Sequence, residues 1–231
     1  MKTKSRFWLC SLLVIGLVLI LADSCKKDEV TTEKVTDRDG NVYTSVAIGT
    51  QVWMTENLKT TKYNDGSTIT NHGNDNIAWL TTTAGAYAWY ENNSSNKAAY
   101  GALYNGYAVS TEKLCPTGWH VPELDEWLVL INHLGGVDFA GGKLKEKGTA
   151  HWLSPNTDAT DEFGFKALPG GYRYDSGAFD LMGEQGWWWS STDNISDPDY
   201  SSHVYMDYNE SGAFYYSLPK NYGLSVRCLK D

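Results

Sequence analysis

Val42-Tyr43-Thr44-Ser45-Val46-Ala47-Ile48 alternates with the period of two that a half-buried strand requires. After Gly49-Thr50 comes a second short run, Gln51-Val52-Trp53-Met54, and two strands so closely joined predict a hairpin. Asp37-Arg38-Asp39-Gly40-Asn41 ahead of them is a turn signal. Its spaced oxygens resemble the opening of a calcium loop, but no bidentate Glu follows at the position such a loop needs. The period changes farther on, where Leu124, Trp127, Leu128, Ile131 and Leu134 recur at helical spacing. Pro122 stands at the start of that helix, and Gly135-Gly136 supply its C-terminal cap. Glu123, Asp125 and Glu126 crowd its first turn, where the helix dipole favours negative charge, so these carboxylates have a structural reason to be there.

Elsewhere the pattern is weaker. Ala98 to Ser110 offers Ala102, Leu103, Tyr107 and Ala108 to a core and is predicted as a helix, against the opposition of Gly101 and Gly106. Residues 63–95, punctuated by Asn, Gly, Asp and Thr, are predicted as a long ordered loop region. Further strands are predicted at Gly164–Leu168, Trp187–Ser191, His203–Tyr208, Ala213–Leu218 and Leu224–Cys228, with Gly170-Gly171 and Gly183 as turns between them. No internal repeat at solenoid or propeller spacing is visible.

The N-terminal stretch has a pattern of its own. Lys2, Lys4 and Arg6 precede an apolar run from Phe7 to Ala22, the layout of an export signal. The run is shorter than the roughly 20 apolar residues that span a bilayer. Leu21-Ala22-Asp23-Ser24-Cys25 resembles a lipobox, although Asp23 replaces the usual small or apolar residue. The resemblance implies cleavage before Cys25 and lipidation of its sulfur. Lys26-Lys27-Asp28-Glu29 resembles the short charged signal that carries some Bacteroidota lipoproteins to the cell surface. The expectation is a signal peptide over 1–24, a lipidated tether over 25–35 and one domain over 36–231. Localisation is then the outer membrane, lipid-anchored, on its surface face, with the membrane met through the N-terminal lipid.

Composition narrows the partners. Loss of residues 1–24 removes Lys2, Lys4, Arg6 and Asp23, which moves the formal charge from −9 to −11. An acidic surface repels phosphate backbones, and nucleic acid is excluded as a partner on that ground. Of the four cysteines, Cys10 leaves with the signal and Cys25 carries lipid, so Cys115 and Cys228 remain for an oxidising compartment. Either they bond, closing a loop of about 110 residues, or they stay as two buried thiols.

Five blocks carry a family resemblance. They are Gly49-Thr50-Gln51-Val52-Trp53-Met54-Thr55-Glu56-Asn57-Leu58, Leu114-Cys115-Pro116-Thr117-Gly118-Trp119-His120-Val121-Pro122, Ala167-Leu168-Pro169-Gly170-Gly171-Tyr172-Arg173, Trp188-Trp189-Ser190-Ser191-Thr192 and Gly223-Leu224-Ser225-Val226-Arg227-Cys228. In this order they resemble the Fibrobacter succinogenes major paralogous domain. Gly106 departs from the family, which commonly has Trp after Tyr-Asn, so packing there is expected to differ. The resemblance implies an α+β, C-type-lectin-like fold of mixed short strands, one or two helices and long ordered loops, similar also to formylglycine-generating enzymes. It also implies a Cys115–Cys228 bridge from the start of the main helix to the last core strand.

Neither relative's chemistry transfers. The Glu-Pro-Asn or Gln-Pro-Asp and Trp-Asn-Asp motifs of calcium-dependent lectins are missing, since Ser154-Pro155-Asn156 lacks the carboxylate and Trp189 is followed by Ser190-Ser191. The closely spaced cysteine pair of the enzymes is missing too. His72, His120, His133, His151 and His203 show no metal spacing, and His120 is expected to satisfy backbone groups near the helix start. No catalytic residue, metal or cofactor is expected, and the chain is read as no enzyme. What remains is aromatic excess: fifteen tyrosines and ten tryptophans, of which only Trp8 leaves with the signal. Exposed rings beside Asn and Asp suit flat sugar faces or protein partners, and the candidates are Trp79, Trp89, Tyr90, Trp152, Tyr172, Tyr174, Trp187 and Tyr200. The expected function is glycan or protein binding in adhesion. The alternatives are a structural module of an extracellular assembly and an unrecognised enzyme, which would need a cleft with converging ionisable groups.

Overall fold

A computed structural model describes residues 33–231. The expected signal over 1–24 and the lipidation of Cys25 lie outside the described residues. The first strand, β1, runs Lys34–Thr36 and pairs with β2, Val42–Ile48, which in turn pairs with β3, Gln51–Met54. The alternation placed β2 and β3 at their observed bounds. The tether was expected to reach residue 35, but Val35 is buried in the core and Lys34 opposes Thr44. One apolar side chain inside a polar stretch anchors that segment. In the turn ahead of β2, Asp37 accepts the backbone N–H groups of Asp39 and Asn41, both at 2.9 Å, and the Tyr43 hydroxyl at 2.6 Å. Its oxygens are spent on the turn itself.

The stretch expected as loop holds β4, Thr70–Asn71, α1, Asn76–Thr81, and β5, Ala86–Ala88, before α2, Lys97–Tyr100. The helix expected across 98–110 does not form. Gly101, at φ 75°, ends α2, and the chain continues as β6, Leu103–Asn105, then α3, Gly106–Val109. All three residues of β6 are buried, because the strand lies inside a sheet with both faces covered, and a short apolar run of that kind does not reveal its period. A Cβ on Gly106 would stand 2.9 Å from the Cα of Lys220, so a larger residue there would push the two segments apart.

Next come β7, Trp119–His120, and α4, Leu124–His133, whose N-cap is Glu123. The Glu126 carboxylate accepts the Glu123 N–H at 2.8 Å. At the other end Gly136 N–H donates to Ile131 O and Gly135 N–H to Asn132 O, the paired bonds of a Schellman cap. A helix with no sequence expectation follows at once, α5, Val137–Leu144. It carries Gly141 and Gly142, poor helix formers, because a Cβ at Gly141 would lie 1.9 Å from the carbonyl oxygen of Gly212.

The C-terminal half supplies β8, Gly170–Arg173, β9, Phe179–Met182, β10, Gln185–Asp193, β11, Tyr200–Asp207, β12, Phe214–Pro219, β13, Gly223–Leu224, and β14, Leu229–Lys230. Gly170 and Gly171 lie inside β8 rather than in a turn, and 164–168 contributes only an isolated bridge, Lys145 to Ala167. The strand expected at Leu224–Cys228 does not form as one element: Leu224 ends β13, Ser225 makes only an isolated bridge to Trp188, and β14 begins beyond the expected range at Leu229. A five-stranded sheet runs β1-β2-β3-β14-β7. A nine-stranded sheet runs β12-β11-β10-β8-β13-β6-β5-β4, with β9 on β8. The architecture is mixed α+β, mostly sheet with few helices.

The residues of the five blocks meet in the interior. Cys115 and Cys228 form a disulfide with Cα atoms 6.0 Å apart. The fully buried Arg227 guanidinium donates to Asn57 Oδ1 at 2.9 Å and to the carbonyl of Met54, and it lies 4.4 Å from the Phe165 ring. Trp188 Nε1 donates to the same Asn57 oxygen at 2.9 Å, while Asn57 Nδ2 donates to Tyr100 O and to Ser225 Oγ. These contacts satisfy a buried charge with dipoles rather than with a carboxylate.

Candidate functional site: an aromatic sheet face

Strand alternation puts Trp187 and Trp189 on one face of β10 and Trp188 on the other. Registers carry the first face sideways: Trp187 opposes Tyr205, Trp189 opposes His203, and across β11 Tyr205 opposes Phe214 while His203 opposes Tyr216. Three adjacent strands thus line up their rings. Trp187 stacks on Tyr205 with centroids 5.0 Å apart and planes 22° from parallel, and on His203 at 4.8 Å and 14°. Tyr205 stacks in turn on Tyr216 at 6.1 Å. On the other side Tyr172 of β8 reaches Trp187 at 4.9 Å, Tyr174 at 4.7 Å and Tyr222 at 6.2 Å. Trp187, Tyr174, Tyr205, Phe214 and Tyr222 are half-buried, and Tyr216 is 63% exposed.

Polar groups fix the rings. Trp187 Nε1 donates to Gln185 Oε1 at 2.9 Å, and Gln185 Nε2 donates in turn to the Asp207 carboxylate. Asp180 of β9 opposes Tyr172 in register. Burial raises the pKa of Tyr172, Tyr205 and Tyr222, and neighbouring acids and phenols add to it, so these hydroxyls stay protonated donors. His203 is buried under Trp187 with neither ring nitrogen hydrogen-bonded. Burial pulls its pKa down to about 4, which leaves it neutral at physiological pH.

Of the eight aromatic candidates, the structure gathers Tyr172, Tyr174 and Trp187 into this face. Trp79, Trp89 and Trp152 are corrections, because each is buried. Trp79 Nε1 donates to Tyr174 O and its ring lies under Arg173, Trp152 Nε1 donates to Ala167 O, and Trp89 packs on Tyr87. Tyr90 is half-buried against Phe179, and Tyr200, 36% exposed, opens β11. Tyr205, Phe214, Tyr216 and Tyr222 were not anticipated. The signal for three of them was present as alternation, since positions 205, 214 and 216 fall on the parity that faces Trp187.

A second feature lies at the disulfide end. A cleft of about 620 Å³ is bordered by Cys115, Trp119, His120, Glu123, Glu126, Asp193 and Asp231. His120 does not satisfy backbone groups as expected. Its Nδ1 pairs with Asp231 at 2.7 Å and its Nε2 with Glu126 at 3.0 Å. Burial works to lower its pKa, but the hydrogen bonds to Asp231 and Glu126 and their charges outweigh it, and the net shift is upward. Both ring nitrogens are engaged with carboxylates, so this cleft is where ionisable groups converge, as the enzyme alternative requires. Among the described residues no three His, Cys, Asp or Glu side chains are grouped to hold a metal ion, and no helix is long and apolar enough to cross a membrane.

A family model described as the Fibrobacter succinogenes major domain matches residues 46–230. No curated protein and no solved structure matches the chain.

Proposed function

This chain belongs to the Fibrobacter succinogenes major domain family, and from that premise we propose that it is a noncatalytic, lipid-anchored cell-surface protein whose lectin-like domain binds glycan in adhesion. The observation that carries the reading is the ring surface of Trp187, Tyr205 and Tyr216, continuous across three strands and partly open to solvent, with the buried Tyr172 packing Tyr174 and Tyr222 against its edge. Pyranose rings present flat C–H faces that fit such a surface. The Gln185 amide holds the Trp187 indole in place, and the hydroxyls of the half-buried and exposed tyrosines are the polar groups for the sugar hydroxyls. Export and lipidation at Cys25 would set this face outside the cell, and the run Phe7 to Ala22 supports that placement.

The test is a broad glycan array probed with the purified chain, with and without calcium, followed by titration of any ligand retained. Trp187→Ala and Tyr216→Ala are each expected to weaken binding at least tenfold, as truncation of a contact aromatic does. Unchanged affinity in both variants, or a folded, oxidised chain that retains no glycan, overturns the reading.

One observation favours a structural module instead. β12 is an edge strand, and its Phe214-Tyr215-Tyr216-Ser217-Leu218 run carries no charge, so its outward backbone groups are open to pairing with another strand. Concentration-dependent association in sedimentation, abolished by Tyr215→Lys, would favour that reading.

A further inference from the structure

We propose that the aromatic face selects its glycan by charge, preferring chains that carry free amines, accepting neutral chains and refusing uronic-acid and sulfated chains; this rests on the glycan reading above. The acids around the rings are fixed by the fold. Asp180 opposes Tyr172 across the β8–β9 ladder and is exposed. Asp207 is tied to Trp187 through the Gln185 side chain. Asp175 follows Tyr174 in the turn to β9 and acts on Tyr222, and Glu210 follows β11 and acts on Tyr205.

Lys145 offsets two of them, since its buried ammonium donates to Asp207 O at 2.8 Å and to Glu210 O at 2.6 Å, which leaves Asp175 and Asp180 as the acids that set the sign. Between Gly170 and Tyr222 the basic residues other than His203 are Arg173 and Lys220. The Arg173 guanidinium is buried between the rings of Trp79, 4.3 Å away, and Phe179, 4.9 Å away. Lys220 is 6% exposed and its ammonium is spent on Asp193 at 2.8 Å. His203 lies beneath Trp187 and is neutral above about pH 4. An anionic sugar on the rings therefore meets carboxylates and no partner, whereas an ammonium group meets carboxylates and the negative faces of the rings. A ligand charge roughly 7 Å from one carboxylate in water changes affinity about threefold, so two carboxylates separate neutral from charged chains by about five- to tenfold in each direction.

The experiment uses three oligosaccharides on one β-1,4-linked hexose backbone: neutral, oxidised at C6 to the uronate, and bearing a free amine at C2. Each is titrated against the purified chain by calorimetry at about 0.01 M and about 1 M ionic strength, where the screening length falls from roughly 30 Å to roughly 3 Å. The expected order at low salt is amine, neutral, uronate, with five- to tenfold steps that collapse at high salt. Asp175→Asn combined with Asp180→Asn is expected to shrink both steps. Equal affinities at low salt, or a uronate bound more tightly than the neutral chain, overturn the charge inference and leave glycan binding standing. Failure of all three to bind overturns both.

Discussion

Replacement of Asn57 by Ala is expected to cost more than any surface change in this protein, because one side chain holds both a charge and an indole in the interior. Asn57 Oδ1 accepts from Arg227 Nη2 and from Trp188 Nε1, each at 2.9 Å, and Arg227 Nε adds a longer contact at 3.3 Å. Asn57 Nδ2 donates to Tyr100 O at 2.9 Å and to Ser225 Oγ at 3.2 Å. Asn57 is 3% exposed, and Trp188 and Arg227 are fully buried, so water does not replace what is lost. A buried neutral donor left without a partner costs about 1–3 kcal/mol, and a charged one costs more. Arg227 keeps the Met54 and Phe165 carbonyls, which limits the loss on that side. The sum is about 3–5 kcal/mol, a large part of the total stability of a domain. Urea unfolding of the oxidised chain, followed by tryptophan fluorescence, measures it. Trp188→Phe removes the indole donor and should cost about 1 kcal/mol less in the Asn57→Ala background than in the original protein. A loss below about 1 kcal/mol for Asn57→Ala, or strict additivity of the two changes, would refute this account of the network.

Four further outcomes are expected. Cys115→Ser with Cys228→Ser releases a bridge spanning 113 residues and should lower unfolding free energy by at most about 4–5 kcal/mol in the loop-entropy account; denaturation with and without reductant reads it. The neutral, buried His203 has its pKa lowered to about 4, so the unfolded chain binds a proton that the folded chain refuses. Stability should therefore fall as pH drops from about 6.5 through about 4, by roughly 3 kcal/mol in all, and His203→Phe should flatten that limb of a melting-temperature profile. His120 has the opposite sign: its raised pKa contributes stability below its ordinary value, and that contribution disappears as pH rises through the folded value. Gly141→Ala forces a methyl group against the Gly212 carbonyl and should destabilise by about 1–3 kcal/mol despite the better helix propensity of Ala, as thermal melts would show.

Two strands of the small sheet, β2 and β3, and the main helix were legible. β2 and β3 are amphipathic and joined by a tight turn, and α4 has caps at both ends, so local sequence and burial agree. β6 and α5 were not legible, for different reasons. The buried surroundings of β6 hide its period, and the glycines of α5 are explained only by chain that crosses the helix closely, Gly212 against Gly141 and Asp158 against Gly142. The candidate site divides along the same line. Tryptophan content announced aromatic surface but not its location. Trp79 and Trp152 are indistinguishable from Trp187 as letters, and the distinction comes from Tyr174 O and Ala167 O receiving their indole N–H groups inside the core. Tyr205 and Tyr216 needed the register of three strands, which no single segment contains.

The described chain starts and finishes in the same small sheet. Glu33 meets Lys230 as an ion pair, and Asp231 N–H donates to Gly118 O at 3.1 Å. A segment entering at residue 33 and one leaving at residue 231 thus pass the same spot, and the intervening domain hangs from it like a bead on a loop. Such a unit is a cassette: it suits insertion into a surface turn of another protein, and it suits circular permutation, with residues 231 and 33 joined by a short linker and new ends opened near the fully exposed Ile195.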